Sequence, residues 1–240
     1  MTVVRWLLPV VLLLQLSGCL LTRVYAFKEQ FCDYQSNFTF VIDDGVTMRM
    51  HQPVLRDADV IWLLGAQPTR RSDGREKLEM LYVVEKDIAV NPSDYAIPLR
   101  LDFVQKNGQM LLNAGMIDKN LSAMITPGLI EETVSHACTA QTRMVSKSVH
   151  FDLSDLDLDD IPTPEQIIAA LGPPNEKKLD GALLQYRFRL QGAGPEVEKS
   201  FARIWLDGTQ TKVERVQFRY LIYQLDANFV SGEGSIQIHL

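Results

Sequence analysis

Three cysteines carry the most reactive side chains of this 240-residue chain. Cys19 follows a long apolar run, whereas Cys32 and Cys138 stand alone in mixed sequence. A thiol can take an acyl group, form a disulfide, act as a nucleophile or bind a metal. The chain has no CxxC pair and no histidine at metal-ligand spacing, so we expect neither a catalytic nor a metal-binding thiol.

The residues before Cys19 have the order of a secretory signal peptide: a short start with one basic residue, an apolar run over residues 6–16, and two small residues. The ending Leu-Ser-Gly-Cys at residues 16–19 is similar to the lipobox of bacterial lipoproteins. This resemblance implies removal of residues 1–18 and attachment of diacylglycerol, and of palmitate-type chains, to Cys19. An uncleaved transmembrane helix and a plain secretory signal are the alternatives, but the run falls short of the roughly twenty residues that span a bilayer.

The resemblance also implies a location. Leu20 stands where aspartate favours inner-membrane retention in enterobacteria, so we expect the outer membrane, facing the periplasm, with the inner membrane less favoured.

Removal of residues 1–18 takes away one of 24 basic residues and none of the 30 acidic ones, which changes the net charge from −6 to −7. An acidic chain disfavours a nucleic-acid partner.

Two cysteines remain after the predicted cut, Cys32 and Cys138. In an oxidising periplasm an even pair predicts a disulfide. Their bridge would close a loop of about 105 residues, and the chain-entropy model gives such a loop ~4–5 kcal/mol of stabilisation, with less in practice.

Two stretches of the chain are similar to each other, residues 57–67 and residues 164–174. Each predicts a short helix that ends at a glycine, with a proline just beyond it. In the second stretch Thr163 is the expected N-cap and Gln166 closes a capping box, whereas Asp57 is the expected N-cap of the first.

Each predicted helix is followed by a polar turn and three strands. Asn-Gly at residues 107–108 and Asp-Gly at residues 207–208 predict hairpin turns between strands. The predicted strands cover residues 77–84, 97–104 and 109–116 in the first copy and 182–190, 201–206 and 212–225 in the second. Further predicted elements are a hairpin at residues 37–42 and 46–50, a helix at residues 128–138 and a strand at residues 145–153.

This order predicts an α+β fold of two tandem repeats, each a short helix followed by an antiparallel β-meander, with the helices on one sheet face. We assign residues 1–18 to the signal peptide, 19–35 to a lipid-anchored amino-terminal segment, 36–145 to the first repeat with its extra hairpin and helix, and 146–240 to the second.

The stretch at residues 163–174, followed by Gln-Tyr-Arg-Phe at 185–188, resembles the SmpA/OmlA (BamE-like) outer-membrane lipoproteins. Two copies in one secreted chain also resemble β-lactamase-inhibitor proteins, which are tandem repeats of a related fold. The resemblance covers about two-thirds of the mature chain and implies a non-enzymatic role, either in envelope assembly or as a clamp on a target protein.

Arginines repeat at one parity along the three strands of the second copy. If the strands align, they form one arginine-rich sheet face inside an acidic protein, which could receive an acidic partner protein or anionic lipid headgroups. An ordinary solvated face is the alternative. These candidate partner-binding residues are Arg187, Arg189, Arg203, Arg215 and Arg219.

The sequence contains few other residues that could form a catalytic or metal-binding site. The chain lacks the GxSxG, HExxH and phosphate-loop motifs, and its four histidines are scattered, so we expect no enzyme, cofactor or metal. The acidic residues 152–160 allow a calcium site, but the EF-hand pattern fails at its glycine and at its last position, which favours a solvated segment. An aromatic group is expected in the core, namely Trp205, Phe218, Tyr220 and Tyr223.

The sequence therefore favours a lipid-anchored, periplasm-facing module that binds or scaffolds an envelope protein, possible roles being outer-membrane assembly or maintenance. A carrier or sensor of a small amphiphile, held between helices and sheet, is the alternative. An apolar pocket would favour the carrier, whereas a closed core with an exposed sheet face would favour protein binding.

Overall fold

The computed structural model describes residues 20, 22–43, 45–87, 95–122, 126–139, 141–143, 148–192, 200–220 and 222–238. The predicted signal peptide, Cys19 and the predicted repeat boundary near residue 145 lie outside these residues. Within the described ranges, no helix has the length and apolar character needed to cross a membrane.

Short helices and fourteen strands make up the described part of the chain. The helices are α1 (22–30), α2 (Tyr34–Asn37), α3 (Asp57–Leu64), α4 (Lys119–Ser122), α5 (Pro127–Thr139) and α6 (Pro164–Leu171). The strands are β1 (Phe38–Ile42), β2 (Gly45–Met50), β3 (Arg70–Asp73), β4 (Lys77–Lys86), β5 (Ile97–Lys106), β6 (Gln109–Asp118), β7 (Gln141–Arg143), β8 (Ser148–Asp152), β9 (Glu176–Lys178), β10 (Leu183–Leu190), β11 (Ser200–Leu206), β12 (Val213–Tyr220), β13 (Tyr223–Asn228) and β14 (Glu233–Ile238).

The strands join in one large sheet in which neighbouring strands are antiparallel. Its order is β1-β2-β6-β5-β4-β10-β11-β12-β13-β14-β8-β7, with β3 beside β4 and β9 beside β10. The predicted fold of two helix-plus-meander repeats is therefore wrong. One continuous sheet dominates, because β4 pairs with β10 from the other half of the chain and places Glu85 opposite Arg189. Local turn signals carry no information about such a distant pairing.

The predicted helices α3 and α6 are confirmed, with one error at a cap. Thr163 and Gln166 form the expected capping box, in which each backbone N–H donates to the other side chain. Asp57 is not the N-cap of α3. Arg56 takes that position, and its N–H donates to the carboxylate of Asp59 at 2.8 Å, so the acidic residue that caps this helix lies one turn inside it.

The strand predictions are confirmed in both halves except toward the carboxyl end. The predicted strand 212–225 is instead a hairpin of β12 and β13, followed by β14, which was not predicted. The sequence between β12 and β13 is Leu-Ile and contains none of the usual turn residues, so nothing local indicates the reversal. The predicted polar turns also contain the short strands β3 and β9. The predicted strand at residues 145–153 is observed as β8 over Ser148–Asp152, and its residues 145–147 lie outside the described part of the chain.

The core lies between one face of the sheet, here called the inner face, and helices α3 and α6. Val60 of α3 and Ile167 of α6 join the same buried cluster as Tyr82 of β4 and Tyr186 of β10. Both tyrosines are fully buried at the centre of the sheet. The opposite side of the sheet, the outer face, is thus separated from the helices by the whole thickness of the sheet.

Helix α1 packs on the helical side through a buried ion pair and aromatic contacts. Nε and Nη2 of Arg23 donate to the two carboxylate oxygens of Asp59, both at 2.6 Å. Phe27 and Phe31 make edge-to-face contact at 5.1 Å between ring centroids, and Phe31 stacks on Phe38 at 4.8 Å. The amino-terminal segment is therefore part of the folded body.

The predicted disulfide is confirmed. Cys32 and Cys138 are bonded, with their Cα atoms 4.8 Å apart and 106 positions apart in the chain. Cys138 lies on α5, so the bond fixes the end of the amino-terminal segment to that helix. The hydroxyl of Tyr34 adds a second link, because it donates to Glu131 of α5 at 2.8 Å.

Replacement of Arg23 by alanine should lower the free energy of unfolding by about 3 kcal/mol near neutral pH, because the Asp59 carboxylate would remain buried without its cationic partner. Burial alone would raise the pKa of Asp59, but hydrogen bonds from Arg23 and from the Arg56 N–H outweigh it and hold the pKa below its usual value. A depressed folded-state pKa stabilises above the unfolded value, and that stability is lost as pH falls through the folded value.

Urea unfolding near pH 7 and in acid measures both effects. The difference in the free energy of unfolding between wild type and Arg23→Ala should be smaller in acid than near pH 7. Arg71→Ala is the matched control, since Arg71 pairs with Asp57 at 3.0 Å on the exposed side of α3 and should contribute under about 1 kcal/mol. Equal losses for the two variants would contradict the buried pair.

Candidate partner-binding face

The register of strands β10, β11 and β12 brings the five predicted arginines to the outer face of the sheet. Along β10 the exposed Arg187 and Arg189 alternate with buried Tyr186 and Phe188, as predicted. On β11, Arg203 lies opposite Gln217 of β12. The arginine face is the part of the outer face formed by Arg187, Arg189, Arg203, Arg215 and Arg219.

Two aromatic side chains complete the arginine face, and the sequence did not predict them there. Phe201 lies opposite both Arg187 and Arg219. The guanidinium of Arg203 lies 4.6 Å from the centroid of the Phe201 ring, and that of Arg215 lies 5.0 Å from the centroid of Trp205. Stacking on a ring holds a guanidinium in place while its N–H edges stay available to an acceptor.

The arginines differ in how far their charge is already paired. Arg215 forms a two-point ion pair with Asp226 at 2.8 and 2.6 Å, and this carboxylate raises the pKa of the guanidinium. Arg189 lies 3.7 Å from Glu85, and Arg203 donates to the amide oxygen of Gln217 at 3.1 Å.

Arg187 is in a different situation. Its side chain is exposed, and it is in none of the ion pairs found among the described residues. The part of the arginine face formed by Arg187 and Arg203 therefore has an excess of positive charge.

The charge on these strands has the opposite sign to that of the whole chain. Strands β10 to β12 hold five arginines and a single acidic residue, Glu214, in a chain whose net charge is −6. Planar guanidinium groups form paired hydrogen bonds with carboxylate or phosphate oxygens. The face can therefore bind an anionic surface by ion pairing, with Phe201 and Trp205 adding apolar contact.

The expectation that Trp205 lies in the core is wrong, whereas the other aromatics of that group lie on the inner side. Phe218 and Tyr220 pack against the buried cluster, and Tyr223 shares their parity through its pairing with Tyr220. Both faces of β11 carry apolar side chains, so the alternation of residues along this strand could not show which face is buried. The position of Trp205 follows from the pairing register.

Two of the four histidines and one residue of the acidic segment 152–160 make local contacts in the described part of the chain. His51 contacts the Thr39 hydroxyl at 2.7 Å, and His150 contacts the Ser148 hydroxyl at 3.1 Å. Asp160 accepts from the hydroxyl of Thr126, the residue that caps α5. Among the described residues, no group of three or more His, Cys, Asp or Glu side chains is placed to hold a metal ion.

A buried lysine on the inner face was not predicted from the sequence. Lys86 is fully buried, and its Nζ donates to the carbonyl oxygens of Leu171, at 3.0 Å, and of Pro173. The rings of Tyr95 and Tyr186 lie 4.8 and 5.1 Å from the same nitrogen. Burial lowers the pKa of Lys86. The ammonium group thus ties β4 to the carbonyl end of α6, where a positive charge is favoured.

The inner face also contains two phenols without hydrogen-bond partners among the described residues. The hydroxyls of Tyr186 and Tyr220 are both buried and unpaired. Burial raises the pKa of Tyr186 to about 12, and it raises the pKa of Tyr220 as well. Tyr82, by contrast, donates to the Ala66 carbonyl at 3.3 Å. Unpaired buried hydroxyls are uncommon in folded proteins, and a bound molecule or an internal water is one way to satisfy them.

Comparisons with known proteins add no relative. No protein-family model matches the chain, and no curated protein and no solved structure matches it either. The resemblance to SmpA/OmlA lipoproteins therefore stays a prediction from residues 163–174 and 185–188.

Proposed function

We propose that this chain is a lipid-anchored envelope protein that binds an acidic segment of a partner protein on its arginine face. The observation that carries the proposal is the excess positive charge of Arg187 and Arg203 beside Phe201 on a continuous sheet. Arg187 and Arg219 flank that ring, and Arg203 stacks on it. The proposed site is non-enzymatic, with anchoring at Cys19 toward the periplasm and the outer membrane as the favoured location.

The rigidity of the surface supports binding rather than simple solvation. Arginines on a continuous antiparallel sheet lose less conformational freedom on binding than arginines on a loop, especially when rings already hold them. At the two edges of the arginine face, Glu85 pairs with Arg189 and Asp226 pairs with Arg215. Between them, the positive charge of Arg187 and Arg203 is not balanced by a paired carboxylate within the described part of the chain. Such a pattern favours an extended acidic peptide over a point anion, because the positive groups span three adjacent strands.

The proposal is tested by reversing the two central charges, Arg187→Glu with Arg203→Glu. Both side chains are exposed, so the free energy of unfolding should change by less than about 1 kcal/mol. Affinity for a defined acidic probe, fluorescent poly-L-glutamate, should fall about tenfold or more in anisotropy titrations, because like charges now meet across the contact. Arg189 and Arg215 are left unchanged, since their reversal would confront Glu85 and Asp226 with a new carboxylate.

The matched control is Arg75→Glu with Lys106→Glu, which makes the same change in net charge at two exposed residues outside β10–β12, one in the turn before β4 and one at the end of β5. It should retain wild-type affinity at moderate ionic strength. An equal loss in the control would show that only net charge matters, and the arginine face would then be an ordinary solvated surface.

A second candidate function rests on the buried phenols. A small amphiphile whose headgroup hydrogen-bonds to Tyr186 and Tyr220 would satisfy both hydroxyls from between the sheet and helices. That carrier function would appear as a noncovalent lipid adduct in native mass spectra of the purified protein.

A further inference from the structure

Exposed aromatic side chains lie on the helical side of the sheet, close to the predicted anchor. Among the described residues, the strongly exposed large apolar side chains include two aromatic ones, Tyr25 at 63% and Trp62 at 53%. Tyr25 lies on α1 and Trp62 on α3. The buried pair between Arg23 and Asp59 joins these two helices, so the two aromatics lie on helices that are held together.

The chain leaves little distance between this surface and Cys19. Arg23 follows Cys19 by four residues, and an extended chain covers at most ~3.6 Å per residue, which gives a reach of about 14 Å. An acyl chain on Cys19 would thus enter the bilayer within that distance of the Arg23 backbone. Because Arg23 is bound to Asp59 of α3, a tether from Cys19 starts on the helical side of the sheet.

We infer that the surface of α1 and α3 that exposes Tyr25 and Trp62 rests in the headgroup region of the bilayer. Tryptophan and tyrosine favour that region, because their rings are apolar and their N–H or O–H stays hydrated. The arginine face lies on the other side of the sheet and therefore points away from the anchoring membrane. This orientation rests on the proposed acylation of Cys19, and it assigns the arginine face to a protein partner rather than to headgroups of the same bilayer.

Two tryptophans remain after the predicted cut, and they lie on opposite sides of the sheet. Trp62 is on the helical side, and Trp205 is on the arginine face. Trp205→Phe leaves Trp62 as the reporter, and Trp62→Phe leaves Trp205. The acylated variants are reconstituted in vesicles of phosphatidylethanolamine and phosphatidylglycerol with brominated acyl chains, which quench tryptophan at short range.

Trp62 should lose about half of its emission relative to unbrominated vesicles, as expected for a residue at the interface. Trp205 should be unchanged. Quenching of Trp205 would place the arginine face on lipid and overturn the orientation. No quenching of either residue, in protein that sediments with the vesicles, would show that the anchor holds the body away from the bilayer and would also overturn it.

The acylation is read separately, from the intact mass before reconstitution. A mass without acyl chains would contradict the anchor and, with it, this orientation. A correct mass with an unquenched Trp62 would contradict the orientation alone and leave the anchored binding module standing.

Discussion

Cys19→Ala should abolish the incorporation of alkyne-tagged palmitate into this protein in bacterial cells. The predicted lipobox offers one thiol at the cut, and the remaining two cysteines are bonded to each other. Each buried CH₂ of an acyl chain contributes ~0.8 kcal/mol to membrane partitioning, so several chains together anchor a protein almost irreversibly. Loss of the label should therefore be accompanied by loss of the protein from the outer-membrane fraction.

Cys138→Ser is the matched control for this experiment, because it also removes a single thiol. It should keep both the label and the outer-membrane location. Label that persists in Cys19→Ala, or label that is absent from the wild-type protein, would contradict acylation at Cys19.

Cys32→Ser combined with Cys138→Ser should lower the free energy of unfolding by about 2–5 kcal/mol. The disulfide closes a loop of 106 positions and holds the amino-terminal segment on α5. Without it the unfolded chain gains freedom, and in the folded state the segment retains the Arg23–Asp59 pair and the Tyr34–Glu131 hydrogen bond. Urea unfolding of the oxidised wild type and of the double variant gives the difference.

Reductant provides the control for the disulfide. It should destabilise the wild type by a similar amount and leave the double serine variant unchanged. In alkylation without reductant, Cys32 and Cys138 should both be blocked in the folded wild type. Free, alkylated thiols together with equal stabilities would contradict the bond in solution.

Elements with local signals could be predicted from the sequence. Thr163 and Gln166 specify the start of α6 by reciprocal capping, and Gly65 ends α3 in the left-handed conformation, with φ 67° and ψ 14°. Alternation along β10 correctly separated the exposed arginines from the buried aromatics. The disulfide followed from the number of cysteines, since only one pair remained after the predicted cut.

Features that depend on distant pairing could not be predicted. The single sheet exists because Val84 of β4 pairs with Leu190 of β10, and neither strand contains a signal for that partner. The position of Trp205 on the outer face and the burial of Lys86 against the carbonyls of Leu171 and Pro173 follow from the same long-range arrangement. Burial of a lysine needs acceptors that only the folded chain brings to it.

Photo-crosslinking in cells tests the central claim most directly, with the reactive side chain at Gln185 or Gln224, which share the outer face with the arginines. Val230, 74% exposed in the turn after β13, is the reference position. A discrete protein adduct should form from Gln185 and Gln224, be absent at Val230, and disappear when Arg187 and Arg203 are both changed to glutamate. Lipid adducts alone, or no adducts from either position, would contradict a protein-binding arginine face.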